Sequence, residues 1–273
     1  VDRFHAERDA ETLRCRGGIR TANPVEAERT SLSREAMGIF HKYSSVSARL
    51  DPQVHWNFET TRSSDISRIW TFLKESQPKI FNGPVLMSYD ATGDDQLLQV
   101  DLLRTTYAAF MAWRELDHPD RSAKLCFPIA AIRTSDGFYV LGTMASHTSN
   151  AGLTYFPSGT LNDDDVMPDG TVALERSLAR EVEEETGLTR TDYELVNGWT
   201  RVENDVRCAF FKEARLKWSR SEVSERITSF LESQTDPELS TISFIKDPAD
   251  AVGLNLPAVQ REYFAKILVS QEL

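Results

Sequence analysis

Hydrophobic positions are sparse over the first fifty residues and then recur in two periods, about 3.6 and 2. Residues 1–50 are polar, with Arg3, Arg8, Arg14, Arg16 and Arg20 interleaved among acids. That pattern predicts an extension, partly disordered or laid over a neighbour. A short helix is expected near Ser33–Tyr43, with Ser33 as its cap. Val54–Phe58 reads as a strand. Ile66, Ile69, Trp70 and Leu73 then fall at helical spacing behind Asp65, a capping type, and Gln77-Pro78 ends the helix. Lys79–Tyr89 predicts extended chain with a turn at Asn82-Gly83. Ala91–Asp95 reads as a second turn, Leu97–Leu102 as the returning strand, and Thr105–Leu116 as an aromatic-rich helix. Asp117-His118-Pro119-Asp120 breaks the pattern and marks a boundary.

The second half opens on a hairpin, Leu125–Ile132 and Phe138–Met144, joined through Ser135-Asp136-Gly137. A polar loop and the segment Leu153–Gly159 follow, then an acidic loop at Leu161–Gly170. Thr171–Glu185 holds strong helix formers, and Gly187 stands where a C-cap belongs. Strands are expected over Tyr193–Val202, Val206–Leu216 and Thr241–Ile245, and helices over Ser221–Ser233 and Pro257–Val269. The alternation predicts an α/β (α+β) protein built on one mixed sheet. Three regions are expected: an extension over 1–50, an α+β subdomain over 51–122, and a larger domain over 123–273.

Charge and composition narrow the classes. The chain has 31 basic and 42 acidic residues among 273, a formal charge of −11. That excess of acid argues against general nucleic-acid binding, although a metal ion or a local basic pocket can still hold phosphate. No apolar stretch approaches the roughly 20 residues of a membrane helix. Three separated cysteines, Cys15, Cys126 and Cys208, fit a reducing cytoplasm better than a disulfide framework. The latter two, in apolar runs, read as buried small hydrophobes. The histidines His5, His41, His55, His118 and His147 show no ligand spacing, and Ser158 has no nucleophile elbow around it.

The segment Arg180-Glu181-Val182-Glu183-Glu184-Glu185-Thr186-Gly187-Leu188 carries the chemistry. On a helix, Glu181, Glu184 and Glu185 share one face at i, i+3 and i+4. Three carboxylates on one patch repel each other unless a cation compensates, and hard divalent cations favour such oxygen donors. A bare glutamate run is ordinarily a solvated helix face, but this one sits in a longer pattern. Arg180–Leu188 resembles the second half of the Nudix box, R-E-U-x-E-E-x-G-U, at every specified position. The first half departs: Val172 stands where the box has Glu, and Val166 where it has Gly. The turn before the box is matched instead by Pro157-Ser158-Gly159, which implies about seven inserted residues within Leu161–Gly170. Glu175 is off the spacing for the missing Glu; Asp163, Asp164 and Asp165 are alternative compensating acids, with a solvated, mobile loop the favoured reading of the triplet.

The resemblance implies a Nudix-like α/β/α sandwich and a metal-dependent pyrophosphohydrolase. In it Glu181, Glu184 and Glu185 bind Mg²⁺ or Mn²⁺, Arg180 orients Glu181, and the Gly159 carbonyl adds a ligand. Shorter cues, Lys79–Pro84, Tyr107 with Phe110, and Arg201-Val202-Glu203-Asn204, are similar to the UDP-sugar pyrophosphatase subfamily. They point to a nucleoside diphosphate joined to a sugar. Asn82, Arg133, Tyr155 and Arg201 are candidate substrate contacts, and His147 a candidate pocket residue. Members of the family often form homodimers. The alternative is a Nudix-fold nucleotide-binding or regulatory module with weak or no catalysis, motivated by the broken first half of the box.

Overall fold

The computed structural model describes residues 39–78 and 80–268. Its order is β1 (Ile39–Tyr43), β2 (Ser45–Leu50), α1 (Asn57–Thr61), α2 (Ser63–Ser76), β3 (Pro84–Gly93), β4 (Leu97–Thr106), α3 (Tyr107–Glu115), β5 (Lys124–Arg133) and β6 (Tyr139–Met144). There follow β7 (Thr154–Tyr155), β8 (Thr171–Val172), α4 (Leu174–Thr186), β9 (Tyr193–Leu195), β10 (Trp199–Glu203), β11 (Arg207–Leu216), α5 (Arg220–Ser233), β12 (Leu239–Ile245) and α6 (Ala258–Ile267). The strands form one mixed sheet with the path β1-β10-β11-β5-β3-β4-β2-β8, from which β9 branches at β11 and β12 and β7 flank β6. β11 runs parallel to β5, and β2 to β4; the remaining pairs are antiparallel.

The period of two along β5 and β11 sorts side chains between the faces. Cys126, Ala130, Ile132, Cys208 and Phe210 pack with Leu178 and Val182 of α4 and Val223 and Ile227 of α5. Ile129, Ala131, Ala209 and Phe211 point the other way, onto Val259, Tyr263 and Phe264 of α6. Helices therefore cover both faces of an α+β sheet. A third core joins Trp56, Phe58, Ile69 and Leu73 to Val85, Met87, Phe110 and Trp113, seating α1–α3 against β3 and β4.

Several expectations are corrected. The helix expected over Ser33–Tyr43 lies partly outside the described residues, and its remainder, Ile39–Tyr43, is strand β1 paired with β10. Val54–Phe58 is not a strand: Trp56 caps α1, and both aromatic side chains reach one core because the chain turns between them. α2 begins two residues before Asp65, which instead pairs with Arg62 and Arg68. Thr171-Val172 is a two-residue strand against β2 rather than the first turn of α4. Tyr193–Val202 breaks into β9 and β10 at Gly198, whose φ of 86° is left-handed.

Where β3 and β5 diverge, the segment 157–161 fills the gap. The Ala130 N–H donates to the Pro157 carbonyl, and the Leu86 N–H to that of Leu161. The sheet thus opens at one place, and the Ser158-Gly159-Thr160 turn passes through it.

Candidate active site

The helix α4 forms because its apolar residues Leu174, Leu178 and Val182 recur on one side, and Gly187 ends it at φ 70°. The same periodicity turns Glu181 and Glu185 toward the Ser158-Gly159 turn. Gly159 lies so close to the Glu181 carboxylate that a β-carbon there would overlap it. The Ser158 N–H donates to Glu185. Glu185 is 3% exposed, and its Oε2 is buried without a hydrogen-bond partner.

Arg180 organises the other carboxylates. Its guanidinium lies 2.7 Å from Glu181 Oε1, 3.3 Å from Asp165 Oδ1 and 3.8 Å from Glu184 Oε2. Burial, with Glu184 and Glu238 adding repulsion against the attraction of Arg180, pushes Glu181 up to about 7. Burial also pushes Glu185 well above the usual carboxylate range, with Glu181 and Glu238 adding to it. Glu238 was missed by the sequence reading. It precedes β12, fifty residues after the end of the box, and nothing near it in sequence announces a site.

Glu181, Glu184 and Glu185 share one helix face but are not drawn together at one point. Among the described residues no group of three or more His, Cys, Asp or Glu side chains is arranged to hold a metal ion. Glu181 is turned onto Arg180, and Glu184 points to solvent. The donor set nevertheless suits a hard divalent cation, because the unpartnered Glu185 oxygen and the crowding of four carboxylates both call for one.

Asp165 also departs from expectation. The triplet Asp163–Asp165 is not a featureless solvated loop but a short 3₁₀ turn. Asp165, 1% exposed, accepts from the Asn162 N–H and holds Arg180. Asp163 pairs with Arg104 at 2.8 Å. Val172, at the position of the missing box Glu, is a buried strand residue, and Glu175 pairs with Lys212 at 3.1 Å. A buried acid from the inserted loop, not Glu175, therefore faces the box arginine.

An open cleft with about 910 Å³ of empty volume borders the turn. Ser158, Gly159 and Thr160 form its floor, Tyr107, Phe110 and Arg114 of α3 one wall, and Val259 and Gln260 of α6 another. Of the four candidate substrate contacts, Tyr155 lines it, with its hydroxyl accepting from Asn150 Nδ2 at 3.1 Å. Asn82, Arg133 and Arg201 do not. Asn82 accepts from the Ala108 N–H at the start of α3. Arg133 lies 3.9 Å from Glu213 at the far end of β5. Arg201 pairs with Glu203 inside the sheet. His147 is exposed, 3.4 Å from Asp236. Cys126 and Cys208 are fully buried cross-strand partners.

No protein-family model matches the chain, and no curated protein does. Among solved structures the chain is similar to a MutT protein from Methanosarcina mazei Go1, with 21% identity over 55% of this chain and 96% of that one, at a TM-score of 0.38. It is also similar to a Nudix hydrolase from M. smegmatis, with 12% identity over 54% and 84% at 0.36. A third is a Bacillus subtilis pyrophosphohydrolase, with 16% over 54% and 79% at 0.33. No described helix is long and apolar enough to cross a membrane.

Proposed function

We propose that this chain is a divalent-metal-dependent hydrolase of the Nudix kind, which cleaves the diphosphate linkage of a nucleoside diphosphate joined to another group. The observation that carries the reading is the buried, unpartnered Glu185 oxygen, set with Glu181 against the Ser158-Gly159 turn at the floor of a cleft. Glu181, Glu184 and Glu185 would hold Mg²⁺ or Mn²⁺, with the Gly159 carbonyl as a further donor. The bound cation would supply neutralisation of the diphosphate charge and acidify a water molecule. Arg180 keeps Glu181 in place, and Asp165 keeps Arg180 in place. Glu238, from the loop before β12, presses its charge on both Glu181 and Glu185 and is the carboxylate we assign to accept a proton from the attacking water. Tyr155 and the aromatic side chains of α3 offer faces for the base or sugar.

Within this class the sequence cues favour a UDP-sugar, and a cytoplasmic enzyme, as a homodimer, fits the same resemblance. Mg²⁺-dependent phosphate release from a panel of nucleoside diphosphate sugars, coupled to a phosphatase, tests the reading. Cleavage should vanish in Glu184→Gln and Glu185→Gln while circular dichroism stays unchanged. Wild-type turnover in both variants would sink it.

A second reading is a nucleotide-binding module without catalysis. Val172 in place of the box Glu and the engagement of Glu181 by Arg180 favour it. Tight binding with no cleavage across the panel would decide for it.

A further inference from the structure

The far end of the cleft is chemically unlike its floor. The chain carries 42 acidic residues, yet neither Asp nor Glu lines the cleft. Arg114 from α3 and Arg207 from the start of β11 both do, together with His118. Arg114, Arg121 and Arg207 all press charge on His118. With burial as the larger cause, they hold its imidazole down at about 4, so it is neutral near pH 7. The Asp117 carboxylate lies 3.8 Å from the imidazole Nδ1 but is turned to solvent.

The backbone there is also special. Asp117 and His118 take φ of 58° and 56°, a left-handed conformation that is strained for a non-glycine residue. The His118 N–H donates to the Trp113 carbonyl, and its ring stands edge-on to Trp113 at 4.3 Å. Those contacts fix a strained turn against the cleft wall. Arg114 lies along the Phe110 ring at 5.7 Å, so its stem is held by packing.

Resting on the reading of the carboxylate centre as a diphosphate site, we propose that this end of the cleft binds a second anionic group on the half of the substrate remote from the scissile linkage. Arg114 and Arg207 are its cationic ligands. Tyr107 and Phe110 flank the ring that carries it. The group is a phosphate monoester or a carboxylate, the two anions that guanidinium forks recognise. The substrate class is therefore a nucleoside diphosphate derivative with an additional acid, and α3 supplies the selectivity.

Calorimetry on the full chain in EDTA, where metal-dependent cleavage does not proceed, tests this with matched twins. UDP-glucuronate against UDP-glucose reads the carboxylate arm, and coenzyme A against dephospho-coenzyme A the phosphate arm. In at least one arm the more anionic twin should bind tenfold or more tightly. Arg114→Gln and Arg207→Gln should each cut that preference below threefold and leave the other twin within twofold. Arg114→Lys should keep part of the preference, which separates lost charge from a lost fold. Equal binding of the twins in both arms, or no binding by any probe, overturns the proposal. So does equal weakening of both twins by the glutamine variants, since the arginines would then hold the diphosphate itself. Mg²⁺ added afterwards tests hydrolysis independently. Preference without cleavage sinks the hydrolase reading, and cleavage without preference sinks this one.

Discussion

At the residue scale, the site divides into side chains that hold charge and side chains that hold the holders. Gly159 belongs to the second kind. The atoms a β-carbon would meet are the far end of the Glu181 side chain, which can swing aside. Gly159→Ala should therefore leave the melting temperature within a few degrees. Its Mg²⁺ affinity, by calorimetry, and its turnover should fall tenfold or more. Unchanged Mg²⁺ affinity would mean that Glu181 is not a ligand. Asp165 is the complementary case, a buried acid facing the charge of Arg180. Asp165→Asn should cost about 2 kcal/mol of stability and loosen Glu181, while Asp164→Asn, at an exposed carboxylate, should be nearly neutral by urea unfolding. Glu238→Gln is expected to lower kcat by about a hundredfold with Mg²⁺ affinity kept, the split between a base and a ligand. These residues differ in how legible they were. Glu181, Glu184 and Glu185 announce themselves through helical spacing, and Arg180 through the resemblance to the box. Glu238 and Asp165 reach the site across the fold, the first from the unassigned stretch between a helix and a strand, the second from the acidic loop.

At the scale of elements, the strongly periodic segments read directly from the chain: α2, α5, α6, and the β5–β6 hairpin lie within a few residues of expectation. The failures share a cause. Ile39–Tyr43 and Thr171-Val172 become strands because β10 and β2 present free edges to them, which local propensity does not register. Trp56 and Phe58 alternate like a strand, yet both serve one core through a turn. The cleft was unreadable for the same reason, since it needs α3, α6 and the ends of β5 and β11 together. The end of α4 was readable, and it makes a prediction. Gly187 has φ 70°, and a β-carbon there would strike the Phe230 ring of α5. Gly187→Ala should destabilise by about 1–2 kcal/mol, read as a lower urea midpoint with an unchanged slope. No loss would mean that the α4–α5 contact readily gives way.

At the scale of the whole molecule, the net charge of −11 is unevenly distributed: acids crowd around Glu181 and Glu185, and guanidiniums gather around His118. Three buried titrating groups, Glu181, Glu185 and His118, convert that distribution into a pH profile. Glu181 has its folded pKa raised, to about 7. The stability linked to its neutral form is complete below its ordinary value and is lost as pH rises through 7. His118 is the reverse, lowered to about 4. Its contribution is complete above the ordinary histidine value and is lost as pH falls through 4. Over the window between the two ordinary values the His118 slope offsets that of Glu181, and the more strongly raised Glu185 leaves a net loss of stability as pH rises. Above pH 6.5 His118 no longer changes, while Glu181 and the more strongly raised Glu185 still do. Each then removes up to about 1.4 kcal/mol per pH unit. In EDTA the melting temperature should thus fall by roughly 4–8 °C between pH 6.5 and 8. A cation that neutralises the carboxylates binds the folded state alone and stabilises it by mass action, so millimolar Mg²⁺ should abolish the fall. Glu185→Gln should lessen the EDTA fall without added metal, because it removes one of the two protons whose release is disfavoured and leaves that of Glu181. An EDTA-to-Mg²⁺ difference of the same size at pH 6 and pH 8 would show that these carboxylates do not face the cation. The charge at the heart of the proposed site would then have to be balanced within the protein, by Arg180 alone.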